Sequence, residues 1–210
     1  MYPTAMLLLL FLSSAIQSPA TAREPAPPGP AQSGLSVAGF DSFELRNGGV
    51  AIIRHGPIRR VTLLKGMHDY MLVKAADGAL VVDKCPGRCP QGYELEVEIV
   101  TPDIRRISVA DGGTIQVAGH FLPRAEIDVA VSQGGTIDIR PMTVNHITAS
   151  VYQGGQIFAV PRTAMRATVV SGGRIIYWGD AAVKSSVEDG GIVARGTAAD
   201  AHKPLWQLTR

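Results

Sequence analysis

From about residue 100 onward, apolar and polar positions alternate in short runs, and each run is broken by two adjacent glycines. The pairs are Gly112-Gly113, Gly134-Gly135, Gly154-Gly155, Gly172-Gly173 and Gly190-Gly191, at intervals of 22, 20, 18 and 18 residues. Set in register, the segments read ISVADGGTIQV, IDVAVSQGGTIDI, ITASVYQGGQIFA, ATVVSGGRIIY and SSVEDGGIVA. Alternation with period two turns one set of side chains inward and the other outward along a strand. Glycine reaches positive φ at no steric cost, so each pair predicts a sharp turn between two strands. A repeat of this length cannot bury its own apolar face, whereas stacked repeats bury a continuous core. The pattern therefore predicts an all-β protein, a parallel β-helix or solenoid of short coils. Ile115, Ile137, Ile157 and Ile175 would form one internal ladder, and Val117, Ile139 and Ala159 the next. The glycine pairs would stack along one edge, where a side chain would crowd the coil above. The competing arrangement is an antiparallel sandwich with a hairpin at each pair, but hairpins are not held to a near-constant interval.

The first half of the chain is patterned differently. Phe43–Leu45 and Val50–Ile52 flank Asn47-Gly48, and Tyr70–Val73 and Ala79–Val82 flank Asp77-Gly78. Both read as hairpins. Val61 to Leu64 reads as a further strand. In YELEVEIV, Leu95, Val97 and Ile99 point inward and three glutamates point outward. The expectation is an antiparallel N-terminal strand cap that closes the end of the solenoid, because open sheet edges recruit other chains.

Composition adds a destination but no chemistry. Hydrophobic residues make up 46% and charged residues 18% of 210, enough to build a core. The net charge of +2 comes without any run of like charge, so no nucleic-acid partner is expected. AMLLLLFL followed by Ala20-Thr21-Ala22 has the layout of a secretory signal peptide over residues 1–22, although its first residues lack Lys and Arg. Eight apolar residues fall short of the roughly 20 that span a bilayer. No later stretch reads as a transmembrane helix, and no cysteine near the cleavage point suggests a lipid anchor. Residues 23–37 form a Pro-rich linker, extended because proline locks φ and removes donors. The folded domain is expected over residues 38–196, with residues 197–210 as a C-terminal tail.

The ordered set of these features resembles the GIN domain family, a candidate autotransporter adhesin head domain and a domain of unknown function. The resemblance rests on the Phe-centred first strand (Phe40, Phe43), the strand ending VTPDIRRI, the repeated glycine pairs and the phrase GGRIIYWG. It covers about residues 38–196. It implies a right-handed β-helix, export to a bacterial envelope (periplasm or cell surface) and no established enzyme activity. An autotransporter also needs a C-terminal membrane barrel of many strands, which residues 197–210 cannot supply. The expectation is a chain that is not itself an autotransporter.

The candidate chemistry is sparse. Cys85 and Cys89, the only cysteines, flank a Pro-Gly turn. In an oxidising compartment they can pair as a local disulfide, worth about 1–2 kcal/mol for so short a loop. Free or intermolecular thiols, or a redox or metal role, are the alternatives. His55, His68, His120, His146 and His202 show no metal-ligand spacing, so they read as surface or turn residues. A lyase on this scaffold would need clustered carboxylates and a base. Asp128, Asp138, Arg140 and Arg162 are the nearest residues, and their positions around the Gly134-Gly135 turn place the two aspartates on different faces. Phe158, Tyr177 and Trp178 follow successive glycine pairs and could form an outward aromatic platform for sugars or peptides. Trp206 could cap the last coil or be a contact point. The expected function is that of an exported, non-enzymatic, adhesin-like or ligand-binding scaffold, with no cofactor or metal and with a polysaccharide or envelope protein as its partner. A polysaccharide lyase-like enzyme and a self-assembling structural module are the alternatives.

Overall fold

The computed structural model describes residues 34–209. The export segment at 1–22 and most of the Pro-rich linker lie outside the described residues. The first strands are β1 (Leu35–Ser36), β2 (Ser42–Arg46), β3 (Val50–His55) and β4 (Arg60–Lys65). After a single 3-10 turn at His68–Tyr70 come β5 (Met71–Ala76), β6 (Ala79–Lys84) and β7 (Glu96–Thr101). The glycine-pair region holds β8 (Arg106–Ala110), β9 (Thr114–Ala118), β10 (Arg124–Ser132), β11 (Thr136–Asp138) and β12 (Val144–Tyr152). It continues with β13 (Gln156–Ala159), β14 (Pro161–Val170), β15 (Arg174–Tyr177), β16 (Ala182–Glu188) and β17 (Ile192–Arg195), before a one-turn helix α1 (Leu205–Leu208).

The strands form two large mixed sheets. The first runs β1-β4-β7-β3-β9-β11-β13-β15-β17 and the second β16-β14-β12-β10-β8-β2-β6-β5. From β8 onward, successive strands alternate between the sheets, and each pairs in parallel with the strand two places later. Ile115, Ile137, Ile157 and Ile175 are successive register partners, and all four are fully buried. Their row and the inward residues of the second sheet, such as Val109, Val131, Val151 and Val169, belong to one continuous core.

The turns between the sheets share one conformation. Asp111, Gln133, Gln153, Ser171 and Asp189 take φ between 52° and 60°, and both glycines that follow each of them are also positive. Three consecutive left-handed residues turn the chain from one sheet into the other. The turns are bonded to one another: Thr136, Gln156 and Arg174 each donate their backbone N–H to the second glycine carbonyl of the preceding turn, at 2.9 Å. The two glycines are not equivalent. A Cβ at Gly154 would meet nothing within 4 Å, whereas one at Gly155 would lie 2.9 Å from the Gly135 carbonyl oxygen. Crowding by the neighbouring turn therefore falls on the second glycine only.

The N-terminal half corrects one expectation. Asn47-Gly48 is not a hairpin. Asn47, Gly48 and Gly49 have φ of 59°, 87° and 94°, the same three-residue turn, and it carries the chain from β2 in the second sheet to β3 in the first. Asp77-Gly78 has only two positive residues, φ 52° and 76°, and it does close an antiparallel hairpin between β5 and β6, as a two-residue turn requires. The antiparallel cap is thus confined to β1–β4, β4–β7 and β5–β6. β2 and β3 pair in parallel with both of their neighbours and lie between β6–β7 and β8–β9.

The two glycines of a pair should respond differently to substitution. Gly154→Ala incurs only the left-handed backbone penalty, about 1–2 kcal/mol. Gly155→Ala adds overpacking against a fixed carbonyl and should lose about 3 kcal/mol or more. Urea denaturation of the two variants checks this, and equal losses would contradict it.

Candidate functional site

The two sheets differ in what covers their outer faces. On the first sheet, the outward residues of β11, β13 and β15 include Asp138, Phe158 and Arg174. Asp138 and Arg140 form a bidentate pair, with Nε–Oδ1 at 2.9 Å and Nη2–Oδ2 at 2.6 Å, and both side chains are about 10% exposed. The remaining guanidinium nitrogen of Arg140 donates to the carbonyls of Asp200, Ala201 and Lys203 at 3.3, 3.1 and 3.0 Å. Arg174 holds Gln156 and the Leu208 carbonyl. Between these two cations, Phe158, Trp178 and Leu205 form a small second core. Both guanidinium groups lie about 5.9 Å from the Phe158 ring, and Arg140 lies 5.4 Å from Trp178, within cation–π range. The Trp178 indole N–H donates to Thr197 at 2.8 Å. The Gly196 backbone packs so closely on the indole that no side chain would fit. The tail turn is tied by Asp200, which accepts from Lys203 and Thr197. Those partners, Lys203 first, lower its pKa. Their contribution is present at neutral pH and is lost as pH falls through the depressed value.

The expected aromatic platform is therefore corrected. Phe158 is 1% and Trp178 5% exposed, because the chain's own tail covers them. Tyr177 is half-buried and packs on the main core, since its register partner is the inward Ala159. Trp206 is 60% exposed, and the residue that closes over the aromatic pair is its neighbour Leu205. The tail interactions join residues about 60 positions apart, so strand periodicity alone could not have shown them.

The outer face of the second sheet is open. Alternation and register order its side chains into rows across β10, β12, β14 and β16. Ala130, Ser150, Thr168 and Ser186 form one row, and Ser132, Tyr152, Val170 and Glu188 the next. On the other side of the hydroxyl row run Asp128, Thr148, Arg166 and Lys184, then Glu126, His146, Ala164 and Ala182. These side chains are half-buried or exposed, while the residues that alternate with them on β10, β12 and β14, from Ile127, Ile147 and Met165 onward, are buried. Short hydroxyl side chains on paired strands offer both donors and acceptors and lose little conformational freedom on binding.

The residues weighed for lyase chemistry are not brought together. Asp138 and Arg140 anchor the tail on the first sheet. Asp128 stands on the second and pairs with Arg106 at 3.2 Å. Arg162 is exposed at the start of β14. Among the described residues no three His, Cys, Asp or Glu side chains cluster as metal ligands. Cys85 and Cys89 are joined in a disulfide with Cα atoms 5.3 Å apart. His55 packs edge-on against Phe121, and His146 belongs to the open face. No described helix is long and apolar enough to cross a membrane.

No known family model matches this chain, that of the GIN domain included, and no curated protein matches it. Solved structures do. A candidate adhesin from Bacteroides fragilis NCTC 9343 is 14% identical, with a TM-score of 0.51 over 78% of this chain and 95% of that one. A candidate adhesin from Parabacteroides distasonis ATCC 8503 is 15% identical, with a TM-score of 0.43 over 78% and 95%. A candidate lipid-binding protein from the same organism is 12% identical, with a TM-score of 0.41 over 79% and 96%. At this identity the first likeness establishes a shared all-β fold and nothing about a ligand.

The tail anchor makes a prediction. Arg140→Ala leaves the Asp138 carboxylate buried and unpaired and should cost about 3–5 kcal/mol. Asp138→Ala with Arg140→Ala should cost less than the sum of the two single changes. Denaturation of the three variants, with limited proteolysis of the tail as a second readout, checks this. Additive losses would show that the pair is not coupled.

Proposed function

We propose that this protein is an exported, non-enzymatic, adhesin-like scaffold of the bacterial envelope. In this reading it is a short right-handed parallel β-solenoid, and it binds a polysaccharide through the outer face of its second sheet. The solenoid reading is supported by the alternation of strands between sheets, the repeated three-residue turn and the interval of about 20 residues. Export is supported by the pattern of residues 1–22. The fold shared with a candidate adhesin is consistent with the reading.

The observation that carries the proposal is the asymmetry of the two faces. One is sealed by the tail around Phe158 and Trp178, the aromatics that follow its glycine pairs. The other is open, regular and lined by Ser150, Thr168, Ser186, Thr148 and Tyr152 at ladder spacing. Rigid strands present these groups already ordered, which suits a repeating ligand laid across them.

A second reading rests on the last pair of strands. β16 and β17 end their sheets, and Val187 and Ile192 beside them are 44% and 55% exposed. Unpaired edges with apolar neighbours favour strand-to-strand association. In that reading copies of the chain join end to end.

Both readings are tested on the purified protein. A glycan array should give saturable binding that is abolished by Thr168→Trp, which raises a ring above the open face. Gln116→Trp, the same change on the first sheet, should leave binding intact. No saturable binding to any glycan would overturn the proposal. For the second reading, sedimentation should show a concentration-dependent dimer that Val187→Lys disperses. A monomer at millimolar concentration would exclude it.

A further inference from the structure

We infer that the depression over Ala164 and Ala182 on the second sheet binds an acidic group of a polysaccharide, a uronate carboxylate or a sulfate ester. This inference rests on the reading of the open face as a glycan surface, and it names the kind of glycan.

Two independent features meet there. The first is shape. Ala164 and Ala182 are register partners on adjacent strands, and their small side chains leave a hollow of about 380 Å³ beside the longer His146, Thr148, Arg166 and Lys184. The second is charge. Arg166 and Lys184 are also register partners, so two exposed cations stand on neighbouring strands roughly 4.8 Å apart. Like charges directly opposite each other in a sheet are destabilising. Neither forms an ion pair with any described residue, and no carboxylate lines the hollow.

The neighbouring acids do not relieve this repulsion. Glu126 and Asp128 stand on β10, on the far side of β12, and Arg106 already engages Asp128. Glu188 is four residues along β16 from Lys184, about 13 Å away for an extended strand. An anion seated over the two alanines would meet a fork-shaped guanidinium and an ammonium together, with the Thr148 hydroxyl and the His146 ring alongside. Carboxylates and sulfates accept such charge-assisted bonds well.

The surroundings favour a polysaccharide over a membrane. The adjoining row is Ser150, Thr168 and Ser186, which gives sugar hydroxyls hydrogen-bond partners along the strands beside the hollow. An extended chain crossing the strands would set its neutral sugars on the hydroxyl row and its acidic group in the hollow.

The test uses the full chain with heparin and polygalacturonate as acidic probes, dextran as a neutral one, and phosphatidylglycerol vesicles. The inference expects salt-sensitive binding of an acidic glycan, with dextran at least about tenfold weaker. Arg166→Ser and Lys184→Ser should each weaken acidic binding about tenfold. Lys74→Ser, which removes the same charge from β5 at the other end of the sheet, should leave it unchanged. All three positions are exposed, and unchanged thermal melting verifies the fold. Acidic binding indifferent to Arg166→Ser and Lys184→Ser, or equal binding of dextran, would overturn the inference and leave the glycan-binding proposal standing. Binding to the vesicles alone, or to none of the probes, would overturn the inference, whereas the glycan-binding proposal falls only if the glycan array is also blank.

Discussion

Each glycine-pair crossing from the second sheet to the first passes through three consecutive left-handed residues, and from Gly113 onward the second glycine of each turn lies against the backbone of the turn before it. Thr136, Gln156 and Arg174 each donate to the glycine carbonyl of the preceding turn at 2.9 Å. A Cβ at Gly135, Gly155 or Gly173 would lie at the same distance from such a carbonyl. This contact fixes where each repeat begins relative to its neighbour. The register of both ladders follows from it, because strands in a parallel ladder slip by two residues only if their turns slip too. Once the register is set, the isoleucine rows inside and the hydroxyl row outside follow by alternation.

The two faces then diverge through the tail. Arg140 and Arg174 stand on adjacent parts of the first sheet and hold carbonyls of residues 200–208, which brings Leu205 over Phe158 and Trp178. The open aromatic surface that the repeat would otherwise present is thereby converted into a second small core. The buried Asp138–Arg140 pair fits this role, since a charge taken out of water needs both a counter-ion and further hydrogen bonds. Arg140 obtains both. The second sheet has no such cover, so its polar rows remain available.

Association with other molecules is governed by the same geometry. The N-terminal ends of both sheets are turned back by antiparallel strands, while the opposite ends stop at β16 and β17. Along the second sheet the charges also change character, from the Arg106–Asp128 pair to the unopposed Arg166 and Lys184. The open face is thus polar along its length and cationic at one end.

The sequence by itself determined the strands, the turns and the inward rows. Glycine pairs at near-constant intervals and period-two alternation are local signals with one economical packing, and Ile115, Ile137, Ile157 and Ile175 stack as their spacing implied. Asn47-Gly48 misled because a two-residue hairpin and a three-residue crossing share their first two residues, and only the φ of Gly49 separates them. The cationic pair was within reach of the sequence, because Arg166 and Lys184 are one 18-residue repeat apart. Tertiary structure alone decided which outward residues are exposed. Phe158 does leave the main core as alternation requires, yet it is buried, because a segment some 50 residues later closes over it through carbonyl contacts that no side-chain pattern encodes.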